Sequence, residues 1–342
     1  MRNVRLGKTE IITPQNAFGA LPIQRISTEA AVDLLRKAYN GGMTFFDTAR
    51  AYTDSEEKIG IAFEGIKRDS YYLATKTMAR TGDKLKSELE TSLKLLKTDY
   101  IDIYQLHCIP QVYAPGDKTG IYEALVWAKE QGIIRHFGVT AHLVNVAEEA
   151  VDSGLYETLQ FPFSYLASDR EIALVEKCKE NDMGFIAMKG LAGGLLTNYR
   201  ACAAFMSQHD NVVPIWGVQR EKELDEWLSL FKDEEVMDDE MKAIIEEDRK
   251  ELTGDFCRGC GYCAPCTVGI EINSCARMSQ MIRRAPSAAW MTEEWQTKME
   301  KADECVECGA CMERCPYHLD IPRLLKKNLE DYRNIISGKI KV

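Results

Sequence analysis

Along most of the chain, short apolar, β-branched runs alternate with stretches whose apolar residues recur every three or four positions. The first pattern predicts strands and the second amphipathic helices. VRLGKTEI opens the chain as a hairpin with Gly7 and Lys8 at its turn. Eight strand candidates follow: NAFGALPI, TFFDTA, YYLATKT, IDIYQLH, IRHFGVTA, TLQFPFS, GFIAMKG and VVPIWG. Helical stretches separate them. STEAAVDLLRKAYNGG has a capping residue at Ser27 and a glycine stop. DKLKSELETSLKLLK places Leu85, Leu89, Leu93 and Leu96 on one face, and EKELDEWLSLFK closes the series. Strands alternating with helices imply a parallel sheet, and eight such units predict a closed (β/α)8 barrel.

After Phe231 the pattern changes. KDEEVMDDEMKAIIEEDRKE is acidic and helix-forming, and is expected to be a solvated connector. From about Gly254 the chain is cysteine-rich. The expected division is a barrel over residues 1–245 and a second domain over residues 246–342.

Composition narrows the classes. The chain has 342 residues, a length compatible with two or three domains, and an ordinary 45% hydrophobic and 28% charged content. Its net charge of −10 argues against a nucleic-acid partner. No apolar run reaches the ~18 residues of a membrane span. MRNVRLGKTEI lacks the apolar core of an export signal, so a cytoplasmic protein with no membrane partner is expected.

Nine of the twelve cysteines fall between Cys257 and Cys315. Without an export signal, metal binding is the better reading than a disulfide scaffold. The second motif, Cys305-x-x-Cys308-x-x-Cys311-x-x-x-Cys315-Pro316, matches the bacterial ferredoxin run, whose fourth cysteine ligates the other cluster. The first motif is Cys257-x-x-Cys260-x-x-Cys263-x-x-Cys266, with Thr267 where proline usually follows. Exchange of the fourth ligands assigns Cys257, Cys260, Cys263 and Cys315 to one 4Fe-4S cluster. Cys266, Cys305, Cys308 and Cys311 go to the second. Two zinc sites are the alternative, although zinc usually pairs separated C-x-x-C knuckles. Cys275 is left over and reads as a core residue. The flanking sequence is helical, so this C-terminal domain resembles an α-helical ferredoxin.

Four ionisable groups fall at or just after successive strand ends: Asp47, Tyr52, Lys76 and His107. Barrel enzymes place their chemistry there. Together these groups fit carbonyl reduction. Tyr52 would donate a proton to the carbonyl oxygen, a Lys76 ammonium would stabilise the phenolate, and Asp47 would hold Lys76 charged. His107 would hydrogen-bond the same oxygen.

The runs DTARAYTDSEEKIG, ATKT, DYIDIYQLH and HFGVTAH, spread over roughly Val4 to Phe231, resemble the aldo/keto reductase superfamily. The chain as a whole resembles a branch whose barrel carries a C-terminal two-cluster ferredoxin-like domain. The resemblance implies an Asp47-Tyr52-Lys76-His107 tetrad and a nicotinamide cofactor, NAD(P), at the strand C-terminal ends. It places Thr140 and Gln160 at the carboxamide. Met188 and Gly190 open MKGLAGGLL, which looks like the pyrophosphate-side loop. Gly217, Arg220 and Glu223 follow the last strand, near the adenosine. Glu223 stands where an arginine is often found and Trp227 where an asparagine is usual; the expected preference is therefore NAD(H). The expected activity is reversible carbonyl/alcohol hydride transfer between a small substrate and the nicotinamide cofactor, with clusters exchanging electrons with a ferredoxin or flavoprotein. A flavin or an electron-transfer partner in place of freely exchanging NAD(P), or purely structural clusters, are the alternatives.

Overall fold

In the computed structural model, residues 1–252, 256–284, 287–315 and 317–341 are described. Pro316, which ends the second cysteine motif, and Gly254, where the cysteine-rich region begins, lie outside them. Two compact units are present: Met1–Gly190 with Arg200–Asp238, and Leu191–Tyr199 with Asp239–Val342. The 245/246 division falls inside a single helix that belongs whole to the second unit.

The first unit opens with an antiparallel hairpin of β1 (Asn3–Arg5) and β2 (Ile12–Pro14). Eight strands follow: β3 (Ala17–Gly19), β4 (Phe45–Asp47), β5 (Tyr72–Thr77), β6 (Ile101–Leu106), β7 (Ile134–Thr140), β8 (Thr158–Pro162), β9 (Gly184–Met188) and β10 (Val212–Gly217). They close into a parallel barrel, with β10 hydrogen-bonded to both β9 and β3. All eight coincide with the sequence-predicted runs. The NAFGALPI run is shorter than expected, because Pro22–Arg25 turns into a 3-10 helix.

The intervening helices are α1 (Thr28–Asn40), α2 (Ser55–Ala62), α3 (Gly82–Leu96), α4 (Ile121–Glu130), α5 (Val144–Asp152), α6 (Asp169–Glu180), α7 (Tyr199–Met206) and α8 (Glu221–Ser229). The Ser27 hydroxyl accepts from Ala30 N–H at the start of α1 and satisfies one orphan donor there. Leu85, Leu89 and Leu96 of α3 are buried, while Leu93 is half-buried at the stripe's edge. Val4, Leu6 and Ile11 of the hairpin region pack with Phe45, Ala74, Ile103, Ile186 and Val213. The hairpin thus contributes to one apolar core with the barrel strands.

The second unit contains α9 (Asp239–Leu252), α10 (Ile272–Cys275), α11 (Met278–Arg284), α12 (Glu293–Glu300), α13 (Ala310–Glu313) and α14 (Ile321–Ile336). The acidic helix α9 is more than a solvated connector, because Met241, Ile245 and Leu252 are buried along it. Asn328 of α14 donates to Ala276 O and accepts from Ser279 N–H, tying α14 to the turn between α10 and α11. Among the described residues no helix is long and apolar enough to cross a membrane.

Candidate active site and cluster-binding residues

Strand register brings the tetrad together. Asp47 ends β4 beside Ala74 of β5, and Lys76, two residues on, pairs with Gln105 of β6. Lys76 is fully buried; its Nζ donates to Asp47 Oδ1 and to Thr48 O, each at 2.6 Å. Burial pulls the ammonium down, but Asp47 and Tyr52 outweigh it and hold Lys76 above its ordinary value. The Lys76 ammonium lies 5.0 Å from the Tyr52 ring centroid. His107 meets the same ring edge-on, with centroids 5.8 Å apart. Burial raises the Tyr52 phenol above the usual tyrosine range, and Lys76 pulls against it without prevailing. Tyr52 therefore carries its proton at neutral pH. Burial, with Lys76 and Arg80 adding, pushes His107 down to about 3, so the imidazole is neutral. Its Nδ1 is buried and has no hydrogen-bond partner among the described residues.

The loop that carries Tyr52 is fixed from below. Arg50 N–H donates to Lys76 O, and the Arg50 guanidinium pairs with buried Glu56. Glu56 also accepts from Thr75 Oγ1 at 2.7 Å, and Ser55 Oγ reaches both Thr48 Oγ1 and Ala20 O. Arg80 donates to His107 O and Cys108 O. Sequence reasoning missed Glu56 and Arg80. The Arg50–Glu56 spacing in DTARAYTDSEEKIG was the available signal.

The residues assigned to the cofactor divide. Thr140, at the end of β7, and Gln160, in the middle of β8, are buried register partners. Thr140 Oγ1 accepts from Cys108 N–H at 2.7 Å, and Gln160 Oε1 accepts from Gln105 Nε2 at 2.9 Å. Met188 ends β9 half-buried. At Gly190 a Cβ would fall 2.5 Å from the Trp216 ring, so only glycine fits there. Gly217 is exposed at the end of β10. Glu223 does not present a free carboxylate. Its Oε2 accepts from Gln219 N–H and Arg220 N–H at 3.0 Å each, and its Oε1 accepts from Arg220 Nε at 2.8 Å. It is the capping carboxylate of α8, and Arg220 is its ion-pair partner. The expected NAD(H) preference thus loses its structural warrant. Trp227, expected near the adenine, is buried in the core instead. Leu191–Leu196, the rest of the expected pyrophosphate-side loop, packs within the second unit, where Arg284 Nη1 donates to Leu195 O.

In that unit, Cys260 and Cys315 both lie within electrostatic reach of Cys257, and Cys263 is within reach of Cys257, Cys260 and also Cys311. Burial pushes Cys263 up to about 12, with Cys257 and Cys260 adding to it. As thiolates, neighbouring cysteines would repel one another, and the cationic core of an iron–sulfur cluster would offset that. Cys266, Cys305, Cys308 and Cys311 line a cavity together with Thr267 and Arg314. Cys308 is exposed, and the Thr267 hydroxyl 3.4 Å from its sulfur lowers its thiol below the ordinary value. Cys257 has Cys315 of the second motif in its surroundings, as exchange of the fourth ligands would require. Cys275 is fully buried against Lys298 O and belongs to the core.

Comparison with known proteins agrees with both units. The aldo/keto reductase family model matches residues 15–204, and a 4Fe-4S dicluster domain model matches residues 256–320. Aldo-keto reductase YhdN of Bacillus subtilis is 31% identical over 182 residues, 49% of this chain and 54% of that protein. The chain therefore spans about half the length of that relative. Methylglyoxal reductase DkgB of Salmonella typhi is 31% identical over 209 residues, 58% of this chain and 75% of that protein. The structure of an aldo-keto reductase from Klebsiella pneumoniae in complex with NADPH shares the fold with a TM-score of 0.61 at 22% identity, covering 72% of this chain and 94% of that one. With its eight-stranded barrel and the matched stretch covering more than half its length, the chain belongs to the aldo/keto reductase family and carries a 4Fe-4S dicluster domain.

Proposed function

We propose that the barrel interconverts a small carbonyl compound and its alcohol, with Tyr52 exchanging the proton at the substrate oxygen. The observation that carries this is the buried Lys76–Asp47 pair beneath the Tyr52 ring, with a neutral His107 edge-on to it. A nicotinamide nucleotide would supply the hydride when bound. Support for that cofactor comes from the donor set: buried Thr140 and Gln160 are register partners on adjacent strands, and the NADPH-bound Klebsiella pneumoniae enzyme has the same fold. Tyr52 holds its proton until charge develops on the substrate oxygen. Lys76 then stabilises the phenolate, Asp47 keeps Lys76 charged and oriented, and neutral His107 hydrogen-bonds the oxygen. The division of labour gives this chemistry to the first unit, within the expected residues 1–245 but ending at Asp238, and the clusters to the second, which takes in the expected residues 246–342 and begins at Asp239 apart from Leu191–Tyr199. Turnover of methylglyoxal and other small carbonyls with NADH and NADPH, in anaerobic protein, tests it. No turnover with either nucleotide across such a panel would overturn it.

The second unit is proposed to hold two 4Fe-4S clusters per chain that exchange electrons with a ferredoxin or flavoprotein. A cubane passes single electrons whereas nicotinamide passes a hydride, so the partner is a separate one-electron carrier. Exposed Cys308, flanked by exposed Val306 and Met312, supports docking at this loop. Anaerobic titration with NADH, followed by EPR, is expected to leave the clusters oxidised until a flavoprotein, which accepts the hydride and releases single electrons, is added. Rapid reduction by NADH alone in flavin-free protein would overturn the need for a separate carrier.

A further inference from the structure

Arg277 sits at the turn between α10 and α11, with Nε and Nη1 buried and without hydrogen-bond partners among the described residues. An unpaired buried guanidinium is costly unless something else accepts its protons. Glycine backbone closes on it from two sides. A Cβ at Gly259 would lie 2.8 Å from its Cζ, and one at Gly193 would lie 2.8 Å from Nη1. Gly259 stands between Cys257 and Cys260, so no side chain separates the guanidinium from that cysteine loop. Burial lowers the guanidinium's pKa, and the charges opposing that are the thiolates of Cys257 and Cys260.

We propose that Arg277 donates from Nε and Nη1 to sulfur atoms of the cluster held by Cys257, Cys260, Cys263 and Cys315, and raises that cluster's reduction potential. Hydrogen bonds to sulfur and local net charge are levers on such potentials. Uptake of one electron from a one-electron donor adds one negative charge to this site, with no bond made or broken. A fixed positive charge in a low-dielectric surround favours that reduced state. The guanidinium remains charged throughout the working pH range.

The second cysteine set has no equivalent among the described residues. Arg314 lines its cavity, but its nitrogens donate to the carbonyls of Ala310, Ala264, Cys263 and Pro265. Lys326 near Cys305 is paired with Glu307. The effect of Arg277 is therefore confined to one cluster.

The inference rests on the ligand assignment above, and the test separates the two. Iron and acid-labile sulfide are measured first in anaerobic full-length protein. EPR-monitored titration with dithionite then gives the midpoints, and Cys305→Ala identifies the one belonging to the Cys257 set. Arg277→Met is expected to disfavour reduction of that cluster at least tenfold, a fall of about 59 mV for one electron, with the other midpoint unmoved. Arg277→Gln, neutral but still a donor, is expected to fall by less. Full iron and sulfide with unmoved midpoints in Arg277→Met overturns the proposal. If that variant does not load the cluster, an unmoved midpoint in Arg277→Gln does so instead. Wild-type protein without cluster iron overturns the ligand assignment rather than the role of Arg277.

Discussion

Trp227 lies flat on Trp216, with ring centroids 3.9 Å apart and planes 6° from parallel. Both rings are buried, and Trp227 O also accepts from Asn16 Nδ2 at 2.7 Å. The stack joins the end of β10 to helix α8. It also explains Gly190, since the Trp216 ring occupies the space a side chain there would need.

Trp227→Ala is therefore expected to destabilise the protein by about 3–5 kcal/mol, as loss of a buried tryptophan does. Trp227→Asn, which introduces the residue common in relatives, is expected to lose stability without tightening nucleotide binding. Urea unfolding and nucleotide titration check the two halves. Tighter NADPH binding in Trp227→Asn would show that the position faces the adenine.

Glu223 bears on cofactor choice in the same way. Because its carboxylate is spent on the Gln219 and Arg220 backbone, Glu223→Gln is expected to lower stability by about 1 kcal/mol, the scale of a helix cap. The ratio of kcat/KM for NADH and NADPH is expected to stay within a few-fold of wild type. A tenfold swing toward NADPH would return Glu223 to the nucleotide site.

The barrel was legible because its strands are buried β-branched runs with helices between them, a pattern that survives in one dimension. That Asp47, Lys76 and His107 sit together at the strand ends was legible because each lies at or just after such a run. The capping role of Glu223 was not legible, for a physical reason. A carboxylate three residues into a helix serves equally as a cap or as a ligand, and only the positions of Gln219 and Arg220 N–H decide. Leu191–Tyr199 follows β9 in the chain yet packs with Arg284 and Arg277, a long-range choice that periodicity does not carry. Arg277 itself reads in sequence as an ordinary polar position near a helix start.

Tyr52→Phe is expected to cut turnover ~10²–10⁴-fold, the contribution of a positioned general acid, with nucleotide affinity preserved. Lys76→Met is expected to be as severe. The pH profile has a defined sign. Carbonyl reduction uses the protonated phenol, whose pKa is raised by burial above 10.0, so kcat is expected to hold from neutrality into mild alkali and fall only beyond it. Activity unchanged in Tyr52→Phe would remove the phenol from the mechanism.

The exchanged ligands predict crossed losses. Cys315→Ala is expected to damage the cluster on Cys257, Cys260 and Cys263, although Cys315 follows Cys311 in the chain. Cys305→Ala is expected to cost mainly the other cluster. Wild-type protein should contain about eight irons and as many sulfides, four per site. Zinc without sulfide would contradict this, and loss of the Cys305 cluster in Cys315→Ala would contradict the exchange.

His142 supplies a stability test independent of activity. It is 9% exposed with Nδ1 3.7 Å from the Cys108 sulfur, and burial, aided by Lys189 and His107, pushes it down to about 3. The unfolded chain binds a proton there near its ordinary value of 6.5, so the unfolded state holds more protons between those limits. Stability from this group is complete above pH 6.5 and is lost as pH falls toward 3, at about 1.4 kcal/mol per pH unit. Lowering pH from 7 to 5 is thus expected to cost wild type roughly 2 kcal/mol more than His142→Gln, by urea unfolding under anaerobic conditions. The difference isolates His142, because His107 and the cysteine sets titrate in both proteins. Equal losses in the two would mean that the imidazole is protonated as readily in the fold as in water.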